Sequence, residues 1–201
     1  MNVNKGDNIN FEEEKNLKNK KILVIIAIII IVIVFLIFAR IPILKIMYPK
    51  TYEEAVLIYS EEYNVDKNLI LALIKAESNF DEDAISNRNA IGLMQLMEET
   101  AKDVANRNGI ELDDENIKEE LRDVYKNIEI GTAYIASLLE QYENTEVALA
   151  AYNAGIGTVD NWIEKGIIKK DGTDIENIPY KETNYYVRKI LRDYDIYNEL
   201  Y

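Results

Sequence analysis

Hydrophobic residues fall along this 201-residue chain in two distinct patterns. From Ile22 to Ala39 the sequence reads ILVIIAIIIIVIVFLIFA, eighteen residues that are apolar on every helical face and carry no charge. At about 1.5 Å per residue, a helix of that length spans roughly 27 Å, close to the hydrocarbon thickness of a bilayer. The segment therefore predicts a transmembrane helix. Arg40, Ile41 and Pro42 follow where a cleavable leader would carry a small-x-small site, so the segment is expected to stay attached. Beyond Pro49 the apolar residues recur at helical spacing instead, interrupted by polar loops.

That second region predicts a series of amphipathic helices. TYEEAVLIYSEEY begins with Thr51 and places Glu54 three residues on, the spacing of a capping box. Asp66 can cap the next helix, in which Leu69, Ile70, Leu73 and Ile74 share a face. A third is expected from about Leu93 to Ala105, stopping near Asn108 and Gly109. Asn127 is read as the cap of a longer helix with Ile135, Leu138, Leu139 and Tyr142 in register, and Thr145 as the cap of EVALAAY, which ends at Asn153 and Gly155. Pro179 precedes a last helix, roughly Thr183 to Leu200. No run alternates as a strand would, and there is no internal repeat. The expected organisation is a short N-terminal tail over 1–21, a transmembrane helix over 22–39, a juxtamembrane linker over 40–50, and a mainly α domain over 51–201.

Composition agrees with an ordinary folded domain, since 48% of residues are hydrophobic and 29% charged. Charge is divided unevenly. Of 23 basic and 36 acidic residues, eight and four lie in residues 1–50, leaving 15 and 32 in residues 51–201. So acidic a domain repels nucleic acid, and no nucleic-acid partner is expected. Lys15, Lys18, Lys20 and Lys21 before the apolar run, against Arg40, Lys45 and Lys50 after it, favour a cytoplasmic N-terminus with the domain outside, on a single-pass anchor in the cell membrane.

The chain has no histidine and no cysteine. That removes imidazole acids and bases, Ser-His triads, thiolate nucleophiles, a cysteine-linked lipid anchor and most zinc sites; no metal or organic cofactor is implied. An enzyme built from these residues works with carboxylates. Glu77 stands four residues after Leu73 and seven after Ile70, so it prolongs an apolar stripe near a helix C-terminus. Burial and the negative end of the helix dipole both disfavour its charged form and raise its pKa, as a general acid in glycoside cleavage requires. Placement alone leaves open an ordinary exposed glutamate in a last turn. In GLMQ, Gly92 lets the chain pass close to a ligand, and Gln95 offers a donor and an acceptor to sugar amides and hydroxyls.

Several motifs in a fixed order narrow the choice: AESNF, AIGLMQLM, GTAYIASLL, ALAAYNAG and IPYKETNYYV. Together, over about Tyr52 to Tyr194, they resemble the catalytic domain of the soluble lytic transglycosylase family. The resemblance implies a lysozyme-like, mainly α fold that cleaves peptidoglycan between N-acetylmuramic acid and N-acetylglucosamine, leaving a 1,6-anhydromuramic end. It makes Glu77 the single catalytic acid and base, with Ser78 after it. It sets Ser86, Gln95 and Met97 against the sugar and its N-acetyl group, Tyr152 and Asn153 on the cleft wall, and Glu182 as a second acidic residue for binding, with Tyr186 also a candidate. The chain departs from the family in two places. Asn89 stands where a glycine is common, a position that Asn tolerates in left-handed conformation. Asn184 and Tyr185 stand where a basic residue often follows the Glu-Thr pair. A hydrolytic muramidase on the same fold and an inactive, membrane-tethered wall-binding module are the alternatives. The expected partners are glycan strands and, through residues 22–39, the lipid bilayer.

Overall fold

Eighteen contiguous apolar residues leave the backbone little alternative to a helix, and α1 runs from Lys5 to Met47. The computed structural model describes residues 5–201, so the first four residues of the expected tail lie outside the described residues. α1 is one helix long and apolar enough to cross a membrane, with its apolar side chains from Ile22 to Phe38 exposed. It continues through Pro42, so residues 40–47 of the expected linker are helical. The chain divides into two units, Met1–Met47 and Tyr48–Tyr201.

The second unit is built of helices joined by loops, with two isolated backbone bridges and no strand among the described residues. Its helices are α2 (Glu53–Glu62), α3 (Lys67–Glu77), α4 (Glu98–Asn108), α5 (Ile117–Glu120), α6 (Val124–Tyr142), α7 (Thr145–Ala154), α8 (Ile156–Glu164) and α9 (Lys181–Leu200). α3 is the central piece. Asp66 caps it, accepting from the Asn68 N–H at 2.8 Å, as the sequence suggests. Every residue from Leu69 to Ile74 is buried, so the expected stripe is in fact a helix wrapped on all sides, packed on α9 and α2. α7 is enclosed in the same way from Val147 to Ala151, between α6, α8 and α9.

Four expectations about helix ends are corrected. Thr51 does not cap α2; Tyr52 occupies the cap position in left-handed conformation (φ 62°), and no side chain bonds the helix end. Asp123, not Asn127, caps α6 by accepting from Lys126 N at 2.9 Å, and Asn144, not Thr145, caps α7 by accepting from Val147 N at 3.0 Å. Residues 93–97 are not helical: α4 begins only at Glu98, although it stops at Gly109 as expected. α8 was not anticipated. It follows Gly155, whose φ of 87° breaks the chain direction, and buries Val159 and Trp162.

Candidate active site

Glu77 is the last residue of α3, and the twenty residues after it fold back as a loop before α4. Ser86 organises one turn of that loop. Its Oγ accepts from the N–H groups of Arg88 at 3.2 Å and Ala90 at 3.0 Å, and its own N–H donates to the Ala90 carbonyl at 2.9 Å. Asn89 sits there at φ 61°, so asparagine does take up the left-handed position expected of it.

The second turn is held from outside. Asn127, buried in α6, donates from Nδ2 to the carbonyls of Ile91 (3.0 Å) and Leu121 (2.7 Å), and accepts from Met94 N–H at 2.8 Å. Gly92, at φ 77°, passes so close to Asn127 that a Cβ would collide with its side chain. Gly131 likewise leaves room for Met94, which presses where a Cβ would be. Gln95 takes φ 48° and turns its Nε2 inward to the carbonyls of Ala84 (3.0 Å) and Gly92 (2.9 Å). Its amide therefore braces the loop, and only its oxygen lacks a partner among the described residues.

Against this loop stand α7 and α9. Tyr152 donates to the Met94 carbonyl at 2.8 Å and packs on Tyr134, ring centroids 5.0 Å apart. Thr183 donates to Asn153 at 2.8 Å, tying α7 to the first turn of α9. Between these walls lies a cleft of about 550 Å³, lined by Glu77, Ser86, Gln95, Met97, Tyr152, Asn153 and Glu182 among others. Seven of the nine sequence-derived site residues are thus brought to one cavity. The other two are not. Ser78 ends α3 and donates its hydroxyl to the Ile74 carbonyl at 3.2 Å, which makes it a cap. Tyr186 is buried beside Glu77 and donates to its carboxyl oxygen at 2.5 Å.

Burial pushes the Glu77 carboxyl up to about 7; the Tyr186 hydrogen bond and the nearby Lys189 ammonium oppose that rise. Lys189 donates to the Ala76 carbonyl at 3.0 Å, placing a cation at the negative end of α3. The Tyr152 and Tyr186 phenols are driven well upward, first by burial and then by the Glu77 charge, so both remain neutral hydrogen-bond donors. Asn184, where a basic residue is common, closes the 3-10 turn at Ile175–Asn177 onto α9 by donating to the Ile175 and Glu176 carbonyls, each at 3.2 Å. Tyr134 and Arg88 were not singled out in the sequence, and Asn127 was read only as a helix cap. Tyr134 lay in a quoted motif, but no local signal marks the part that the other two play.

A helical domain that sets one high-pKa carboxyl, backed by the neutral Tyr186, on a groove walled by Tyr152 and amide side chains has the constitution of the lysozyme-like class. Within it, the chain belongs to the Transglycosylase SLT domain family, whose model matches residues 54–174. It is 30% identical over 156 residues to the soluble lytic murein transglycosylase of Escherichia coli K12, covering 77% of this chain and 24% of that protein. Over 109 residues it is 42% identical to the membrane-bound lytic murein transglycosylase C of Edwardsiella ictaluri, covering 50% of this chain and 30% of the relative. Among solved structures, an inactive Glu-to-Gln mutant of the lytic transglycosylase Slt from Pseudomonas aeruginosa superposes with a TM-score of 0.71 at 33% identity, over 78% of this chain and 25% of that one. A 70-kDa soluble lytic transglycosylase in complex with bulgecin A gives 0.70 at 29%, with the same coverage. The chain thus spans only about a quarter to a third of these relatives' length.

Proposed function

We propose that the protein is a membrane-anchored peptidoglycan lytic transglycosylase. The observation that carries the reading is the Glu77 carboxyl, raised to about 7 and held by Tyr186 on the wall of an open cleft. Protonated, it donates to the glycosidic oxygen between N-acetylmuramic acid and N-acetylglucosamine, and that bond breaks. The substrate's N-acetyl oxygen meets the positive charge at the anomeric carbon, so no protein nucleophile is needed. Glu77, now ionised, takes the proton of the C6 hydroxyl, whose oxygen closes onto the anomeric carbon as the 1,6-anhydro ring. One carboxyl serves as acid and then as base.

Ser86, Gln95, Met97, Tyr152, Asn153 and Glu182 are assigned to substrate binding, while Tyr186 and Ser78 act behind Glu77 to hold and end α3. α1 anchors the protein in the bilayer with a cytoplasmic N-terminus, a reading supported by its apolar length and by the membrane-bound relative. Mass spectrometry of digested glycan strands tests the reaction. Anhydro ends are expected, and reducing ends in their place overturn the transglycosylase reading in favour of a hydrolytic muramidase. The Glu77→Gln variant is expected to fold, bind strands and release no product; product release removes Glu77 from its role, and binding without cleavage by the parent chain leaves a wall-binding module.

A further inference from the structure

Arg88 is the cation of the cleft. It lines the cavity with Glu77 and Glu182, and no other lysine or arginine among the described residues does so. Of the five arginines in residues 48–201, Arg107, Arg122 and Arg192 form ion pairs and Arg188 donates to Asn184. The Arg88 guanidinium alone has no such partner among the described residues; only its backbone N–H is bonded, to Ser86 Oγ. In a domain with 32 acidic residues to 15 basic ones, a guanidinium that pairs with none of them is held available.

The backbone beneath it is fixed. Ser86 Oγ accepts from both Arg88 and Ala90, the Asn89 N–H donates to the Ser86 carbonyl at 2.9 Å, and Asn89 holds the left-handed turn. The side chain is exposed, yet its origin is set. A guanidinium so placed offers two parallel N–H donors, the geometry that a carboxylate accepts. The other ionisable side chains that line the cleft, Glu77 and Glu182, are carboxyls and offer an anionic ligand no ion pair. Peptidoglycan carries carboxylates on its stem peptides, and on the lactyl group once the peptide is removed; an uncharged N-acetylglucosamine strand has none.

We propose that Arg88 is a specificity-determining residue that takes a carboxylate of the glycan strand and so favours charged strands over neutral ones. The assignment rests on the glycan reading above. It is tested with the full chain in detergent micelles, made non-cleaving by Glu77→Gln, binding four ligands: peptide-bearing strands, amidase-stripped strands, strands whose carboxyls are amidated, and neutral N-acetylglucosamine oligomers. Arg88→Ala is expected to weaken binding of carboxylate-bearing strands about five-fold at low salt, and Arg88→Glu more, with Arg88→Lys retaining part of the affinity. The loss should vanish at roughly 1 M salt, where screening acts within about 3 Å.

Weakening confined to peptide-bearing strands assigns the stem-peptide carboxylate, and weakening confined to stripped strands assigns the lactyl one. Equal losses on amidated strands and neutral oligomers overturn the proposal, because they report a disturbed loop. Binding indifferent to Arg88 on all four ligands overturns this assignment alone. If the chain with Arg88 intact binds no strand, the glycan reading falls with it.

Discussion

Glu77 has its carboxyl raised to about 7 from an ordinary 4.5, which links both activity and stability to pH, each falling as pH rises. In the proposed reaction the protonated form is the acid, so kcat/KM is expected to fall about tenfold per pH unit above 7 in steady-state assays. The folded chain binds the proton more tightly than the unfolded one, so Glu77 weakens the fold as pH rises from 4.5 to 7. Glu77→Gln, which can still accept from Tyr186, should therefore match the parent near pH 4.5 and exceed it by about 1–3 kcal/mol above pH 7 in urea melts across the pH range. Lys189 acts the other way on the same carboxyl. Lys189→Met is expected to raise the Glu77 pKa further and move the alkaline limb of the pH–rate profile upward, with Lys189→Arg restoring it; an unmoved limb would leave Lys189 only a helix cap.

At the scale of elements, the 78–97 loop keeps its shape through α6 as well as through its own turns. Asn127→Leu would strand the Met94 N–H and the Leu121 carbonyl and leave the Ile91 carbonyl only its bond from Leu96 N–H, and is expected to lower stability by about 2–4 kcal/mol while reducing strand binding, measured by thermal melts and sedimentation with sacculi. Gly131→Ala forces Met94 aside and should destabilise by about 1–3 kcal/mol. These two residues show what the sequence could and could not say. Asp66 was legible as a cap because its partner, Asn68, lies two residues away. Asn127 read as a cap on local grounds, but two of its three partners are 33 and 36 residues distant, and no local pattern encodes that. Leu93, Met94 and Leu96 are buried, yet that apolar cluster belongs to a loop threaded through the core and was taken for a helix. Glu77 was legible because its stripe is local, whereas Arg88 matters by having no partner, which only coordinates reveal.

The whole molecule joins an apolar helix to an acidic domain of the Transglycosylase SLT family. A chain starting at Tyr48 is expected to remain in the aqueous phase when membranes are pelleted, while the full chain sediments with them. A chain starting at Thr51 should be less stable than that one by about 1–3 kcal/mol. It loses the Tyr48 hydroxyl that donates to buried Asp193 at 3.0 Å, the Pro49 carbonyl that accepts from Tyr197 at 3.0 Å, and the Tyr48 carbonyl that accepts from Tyr201 at 3.0 Å. Those bonds bring Tyr48 and Tyr201 together. A short linker between them closes the 48–201 unit into a ring, which can be reopened in the exposed stretch around Lys169–Asp171 without cutting a helix. Such a circular permutant keeps α3, the loop and α9 in one uninterrupted register, and frees the 48–201 unit to be displayed from a new point on its surface.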